Sequence, residues 1–241
     1  MPTKSDSGHA KNVANFEDLL TRVRSLGTDY NPSKAGLSLT NLELQHQAAA
    51  ATLKSLAAEL PLYQQAVDAK QAAFAPLGKL VTRALNMFKA SVDNKAEVES
   101  ATSLANKIRG VSSPKPAAPA EGEEPVRKIS TSQLSADMQL ANLASLIEVL
   151  SAHASYQPNE AELSVAGLMA LHSDLSKKAQ DVTEAQVRVE TARLNRDKML
   201  YTPGSGIVDL GIGVKTYVKA AFTPKSVNYK PILSLDFRRG K

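Results

Sequence analysis

The sequence predicts an all-α protein, an elongated helical bundle or coiled coil built from two duplicated helical modules. Three observations carry that expectation. The chain is poor in aromatic residues (5%), has no tryptophan, and is rich in Ala, Leu, Gln, Lys and Glu, whose straight or minimal side chains lose little rotamer freedom on a helix. Apolar residues recur in long rows with steps of three and four. A decapeptide near the start returns, in altered form, 126 positions later, as Tyr30 to Tyr156.

The repeat is clearest where Tyr30-Asn31-Pro32-Ser33-Lys34-Ala35-Gly36-Leu37-Ser38-Leu39 is set over Tyr156-Gln157-Pro158-Asn159-Glu160-Ala161-Glu162-Leu163-Ser164-Val165. At the same offset Leu42 falls on Leu168 and His46 on His172, and after a slip of one residue Asn15-Phe16 and Leu19-Leu20 fall on Asn142-Leu143 and Leu146-Ile147. Such a period is too long for a solenoid, so the expectation is duplication of one helical module.

In chain order, residues 1–8 read as a flexible N-terminus, 9–110 as the first module, 111–130 as a Pro/Ala/Glu-rich linker, 131–224 as the second module and 225–241 as a basic C-terminal tail. Asn31-Pro32 has the form of a helix start, a capping side chain followed by a residue without an N–H. From Ser33 to Ala75 the row Leu39, Leu42, His46, Ala49, Leu53, Leu56, Leu60, Tyr63, Val67, Lys70 and Phe74 keeps one stripe toward a partner helix. Pro61 is expected to bend this helix without ending it, and Pro76-Leu77-Gly78 to end it. Helices over 79–90 and 95–109 follow. In the linker, Val111 to Pro125, the prolines forbid helix and there is little apolar surface to bury, which predicts a mobile segment. The second module repeats the plan through Val165, Leu168, His172, Leu175, Ala179, Val182 and Val189, turns polar near Arg193 and Arg196, breaks at Thr202-Pro203-Gly204-Ser205-Gly206, and resumes as an amphipathic helix over 207–222.

Lys11-Asn12-Val13-Ala14-Asn15-Phe16, the helix start at Tyr30 to Ala35, and the stretches Gly206 to Asp209 and Val214 to Lys219 resemble an uncharacterised family of duplicated helical-bundle proteins common in Bacteroidota-type bacteria. The resemblance spans nearly the whole chain. It implies a bacterial cytoplasmic setting and carries no site residues.

The absence of cysteine excludes disulfides, thiolate zinc sites, iron–sulfur clusters and cysteine nucleophiles, and suits a reducing compartment. The first eight residues lack the apolar run of a secretory signal, and no stretch reaches the roughly 20 apolar residues of a membrane span. A cytoplasmic protein without a membrane partner is therefore expected. Glu43-Leu44-Gln45-His46 has the Glu-x-x-His spacing of di-iron bundles, but the matching Met169-Ala170-Leu171-His172 lacks the carboxylate, so no metal is expected. His46 and His172 are read instead as polar residues that set register in the seam, with the second possibility that the two rings meet and sense pH. His9 and His153 lie near expected helix ends with no recognisable partner. Gly204-Ser205-Gly206 and Gly211-Ile212-Gly213 match neither phosphate-loop spacing, so turn and packing roles are expected, with no cofactor.

Net charge is +5, and the stretch from Tyr201 to Lys241 alone carries seven basic residues against Asp209 and Asp236. Lys215, Lys219, Lys225, Lys230, Arg238, Arg239 and Lys241 are the candidate contacts to an anionic partner. Tyr201, Tyr217, Phe222, Tyr229 and Phe237 are interleaved with them, as in surfaces that bind nucleic acid; a tail docked on its own bundle accounts for the same pattern. The segment 207–222 also has the basic amphipathic form of an interfacial membrane helix, although its apolar side has a counterpart in Leu80, Ala84, Met87 and Phe88. With no catalytic motif, the expected function is a non-enzymatic structural or interaction protein. Its partner is a second copy or another protein, with nucleic-acid or ribosome association and membrane activity as the alternatives.

Overall fold

The computed structural model describes residues 4–111 and 134–239. These form α1 (Lys4–Arg24), α2 (Leu39–Phe74), α3 (Leu77–Ser91), α4 (Lys95–Arg109), α5 (Ala136–Ser151), α6 (Val165–Tyr201), α7 (Ile207–Ala221) and α8 (Tyr229–Ser234), with short 3-10 turns at Gly27–Asp29, Ala35–Leu37 and Ala161–Leu163. Among the described residues there is no strand, and the protein is all-α as the composition predicts. Most of the expected linker, from Ser112 on, lies outside the described residues. Helix α1 already begins at Lys4, inside the stretch expected to be flexible.

Helix α2 starts later than the Asn-Pro signal suggests, and the reason is local. A 3-10 turn at Ala35–Leu37 comes first, and Ser38 then caps the helix, its Oγ accepting the N–H of Asn41 at 3.3 Å. The capping hydroxyl takes the N–H that would otherwise close on Leu37, so the Leu37 carbonyl is free to accept the Tyr30 hydroxyl at 2.7 Å. Asn31 caps nothing there; its N–H donates to the Tyr217 hydroxyl at 3.1 Å. The same turn geometry recurs after Tyr156: a 3-10 turn at Ala161–Leu163, Ser164 Oγ accepting Gly167 N–H at 3.0 Å, and the Tyr156 hydroxyl donating to the Leu163 carbonyl at 2.7 Å.

Pro61 sits within a continuous α2. Helix α4 occupies the expected residues, capped by Asn94, whose side chain accepts from Ala96 N–H, and closed by Gly110 at φ 68°, the left-handed conformation that favours glycine.

Packing divides the chain into two units, and the division is not at the linker. One unit holds α1, α2 as far as Tyr63, α6 from Ala185, α7 and α8; the other holds the rest of α2, α3, α4, α5 and the first part of α6. The sequence suggested modules 9–110 and 131–224, whereas each packing unit combines segments from both sides of the linker. Hydrophobic burial explains why. In the first unit, Phe16, Leu19 and Leu20 of α1 are buried with Leu37, Leu42, Leu200, Ile207 and Val214. In the second, Leu143, Leu146 and Ile147 of α5 are buried with Leu163, Leu168, Leu77, Val81 and Phe88. Helix α7 packs on the 3-10 turn Ala35–Leu37, and α3 packs on its counterpart Ala161–Leu163. Each Tyr-turn motif is thus covered by the returning helix of the opposite half. Burying one such Leu or Phe fully stabilises the fold by about 1.5–3 kcal/mol.

Within the first unit, Leu56 is buried with Val189 and Ala192, and Glu59 pairs with Arg188 at 3.1 Å. The α6 seam continues through Ala185, Val189, Ala192 and Arg196 to Leu200, all buried. Arg196 therefore lies on the buried stripe rather than marking its polar end, and its guanidinium pairs with Asp197 at 2.9 Å.

Candidate functional site

The most elaborate polar arrangement is where the C-terminal segment lies against α1 and α7 in the first unit. Helix α8 anchors it through Ile232, which is fully buried. Beyond α8 the chain is extended, and three side chains hold its main chain. Lys215 Nζ of α7 donates to the Leu235 carbonyl at 2.5 Å. Asn15 Nδ2 of α1 donates to the Asp236 carbonyl at 2.6 Å. Asn12 makes a reciprocal pair with Arg238, its Nδ2 donating to the carbonyl at 2.8 Å and its Oδ1 accepting the N–H at 3.0 Å. Between these clamps the Phe237 ring lies edge-on to Phe16, with centroids 6.2 Å apart. It also lies directly over Gly211, where a Cβ would come within 2.7 Å of the ring. Glycine there permits the close approach of the ring, which any larger residue would have to displace, and serves no turn.

A buried polar cluster adjoins this groove. Asn12 is 2% exposed and His9 8%. His9 Nδ1 lies 2.6 Å from the Tyr201 hydroxyl, and Asn12 Nδ2 donates to the same hydroxyl over a longer 3.4 Å. A hydroxyl that accepts from Asn12 keeps its own proton for His9 Nδ1. Burial chiefly, with help from the Asp197 carboxylate, holds the Tyr201 phenol above its ordinary pKa, while the Asn12 hydrogen bond and Arg196 oppose the shift.

His9 is thus a buried, hydrogen-bonded residue inside α1 and not a partnerless group near a helix end. His153 likewise has partners: Nε2 lies 3.3 Å from Glu97, and the ring meets Phe88 edge-on at 5.1 Å. Sequence reasoning missed this cluster. The signal available was a pair of asparagines, Asn12 and Asn15, on the same helical face as Val13, Phe16 and Leu19, where an apolar stripe would ordinarily continue.

The predicted seam histidines have separate settings. His46 is half-buried in the first unit and stacks on Phe16, with centroids 6.3 Å apart and planes 16° from parallel. His172 is half-buried on α6 in the second unit. Glu43 pairs with Arg24 at 2.8 Å. Among the described residues no group of three or more His, Cys, Asp or Glu is placed to hold a metal ion.

Of the candidate cations, Lys215 is committed to the Leu235 carbonyl, Arg239 pairs with Asp209 at 3.1 Å and Arg238 with Asp236 at 3.0 Å. Lys219, Lys225 and Lys230 are exposed, and Lys241 lies outside the described residues. The aromatic residues among them face inward. Tyr217 meets Tyr30 edge-on at 5.2 Å, and Tyr229 and Phe222 pack on the core. The apolar side of α7 is spent in the same core, with Ile207, Leu210, Val214 and Val218 at most 3% exposed. No helix among the described residues is long and apolar enough to cross a membrane.

The second unit closes the equivalent place differently. Gln139 of α5, matching Asn12 by the repeat, donates from Nε2 to the Ile108 carbonyl at the end of α4, at 2.9 Å. Ala101, Ala105 and Ile108 of α4 are buried there. An amide at one repeat position thus holds main chain in both units: a packed helix in one, an extended tail in the other.

Comparison with models of protein families, with curated proteins and with solved structures finds no match to this chain.

Proposed function

We propose that this chain is a non-enzymatic structural or interaction protein that associates with itself through its long helices. The observation that supports it is an apolar row on α2 facing away from the buried residues Leu42, Ala49 and Leu56. Leu44 is 59% and Leu62 46% exposed, about five turns apart at 3.6 residues per turn, with Ala48, Ala51 and Ala58 between them on the same face. On α6, Val187 and Leu194 extend the pattern two turns apart, 55% and 70% exposed. Exposed apolar rows of this kind mark contact surfaces when they are contiguous.

The repeated Tyr–turn–Ser geometry supports descent of the two halves from one duplicated module; the bacterial cytoplasmic setting rests on the sequence resemblance alone. The nucleic-acid alternative retains only charge in its favour, since the rings on which bases would stack are packed inward. Sedimentation velocity over a wide concentration range tests the main reading. The wild-type chain is expected to assemble, and Leu44→Glu with Leu62→Glu to reduce that assembly at least tenfold. A strictly monomeric wild-type chain at high concentration would refute it.

A further inference from the structure

The geometry points to the α1–α7 groove as a docking site for the C-terminal strap, residues 229–239, of a second copy of this chain. The inference deepens the self-association reading by naming a segment and its receptor, and it rests on that reading only in taking the partner to be another copy.

Two features carry it. The groove recognises its occupant mainly through main-chain groups: Lys215, Asn15 and Asn12 address the carbonyls of Leu235, Asp236 and Arg238, and Asn12 also takes the Arg238 N–H. Two side chains are gripped, Ile232 in the core and Phe237 in the slot over Gly211. Peptides are held in this way elsewhere, with main-chain hydrogen bonds for affinity and side-chain pockets for register. A strap arriving from another copy would make the same bonds.

The connection to α7 is the second feature. Phe222, Thr223, Ser226, Val227 and Asn228 of the connection line an open cavity of about 650 Å³ together with Ala221 of α7 and with Ser25, Leu26 and Asp29. Val227 is 88% exposed, and Asn228 touches the body of the unit through one side-chain bond, to Ser25 Oγ. Between Phe222 and Tyr229, which both pack on the core, the connection is little packed and suited to act as a hinge, and exchange of a segment about a hinge is a low-cost route to association.

Within one chain the tether gives the strap an effective concentration in roughly the millimolar range, so exchange emerges at high protein concentration or where the chain's own strap is weakened. Reciprocal exchange closes a twofold dimer, and one-way exchange extends an open chain.

The test uses two full-length variants checked for helicity by circular dichroism. Gly211→Leu fills the slot and frees a normal strap; Phe237→Ala empties the slot and leaves a normal groove. Each alone is expected to be monomeric at low micromolar concentration, and their mixture to give a 1:1 complex by sedimentation velocity. A labelled synthetic peptide of residues 225–241 provides an arm that does not depend on Gly211→Leu folding. It is expected to bind the Phe237→Ala chain at least tenfold more tightly than wild type, and to lose that gain when Asn12→Ala is added. A mixture that stays as two monomers, together with a peptide that does not bind the Phe237→Ala chain, overturns the inference. If the wild-type chain assembles while both arms fail, self-association stands and the strap is not its means. If both arms succeed while wild type stays monomeric, the groove stands and the long-helix reading fails.

Discussion

Replacing Tyr30 or Tyr156 by phenylalanine removes one oxygen and leaves the ring in place, which isolates the hydrogen bond at the heart of each repeated turn. At each turn the serine cap consumes the helix N–H, so the carbonyl of Leu37 or Leu163 depends on the tyrosine hydroxyl at 2.7 Å. Both acceptor residues are buried, at 7% and 3% exposure. Loss of the donor therefore leaves a buried acceptor unsatisfied, which costs about 1–3 kcal/mol. Tyr30→Phe and Tyr156→Phe are each expected to lower stability by about 2 kcal/mol by this reasoning, equivalent to roughly 4–8 °C in Tm for a chain of this size. The two tyrosines share no partner, Tyr30 meeting Leu37 and Tyr217 and Tyr156 meeting Leu163 and Phe88, so the double variant should lose about the sum, within roughly 0.5 kcal/mol. Urea unfolding monitored by circular dichroism measures all three. Losses below about 0.5 kcal/mol for both single variants would mean that water satisfies the carbonyls equally well, and the turns would lose their claim to hold the fold.

Alkaline titration should expose the same groups. Burial pushes the Tyr156 phenol up to about 12 from an ordinary 10.0, and burial with the neighbouring Tyr217 raises Tyr30 as well. The unfolded chain then releases these protons first, so the stability they contribute is whole below pH 10 and falls as pH rises from 10 toward 12. Urea midpoints between pH 9 and pH 11.5 should decline more steeply in wild type than in Tyr156→Phe; equal slopes would contradict the assignment. Ser164→Ala removes the cap that accepts Gly167 N–H and should cost about 1 kcal/mol, with unfolding measured at neutral pH. A neutral result would show that the 3-10 turn alone starts α6.

The all-α architecture was readable because it rests on local rules: residue propensity, three-four spacing, and breakers such as Pro76 and the Thr202–Gly206 turn act within a few positions of themselves. Helix α4 fell where it was expected, and the structure bounds it with signals of the same local kind, an Asn94 cap and Gly110 in the left-handed conformation. The start of α2 was misread for a related reason. Asn31-Pro32 satisfies the local rule for a helix start, but a contact seven residues long, from Tyr30 to Leu37, competes with it and wins. The pairing of segments lay further out of reach. Matching stripes on two repeats show that each half must bury a ridge, yet they do not say whether the returning helix closes on its own half or on the other, since both supply the same apolar surface. Only the contacts of α7 with the Ala35–Leu37 turn and of α3 with the Ala161–Leu163 turn decide that.

The groove was partly legible in the same sense. Aromatic and basic residues near the C-terminus fit equally well a docked segment and a free binding tail, because composition specifies what a segment can bury and not against what. What distinguishes the two is Gly211, whose missing Cβ makes room for Phe237, together with Asn12 and Asn15 on an otherwise apolar face. An asparagine on a core stripe costs stability unless it meets main chain. Two of them one turn apart, opposite a glycine, describe a receptor for extended backbone, and the chain's own segment from Leu235 to Arg238 fills it.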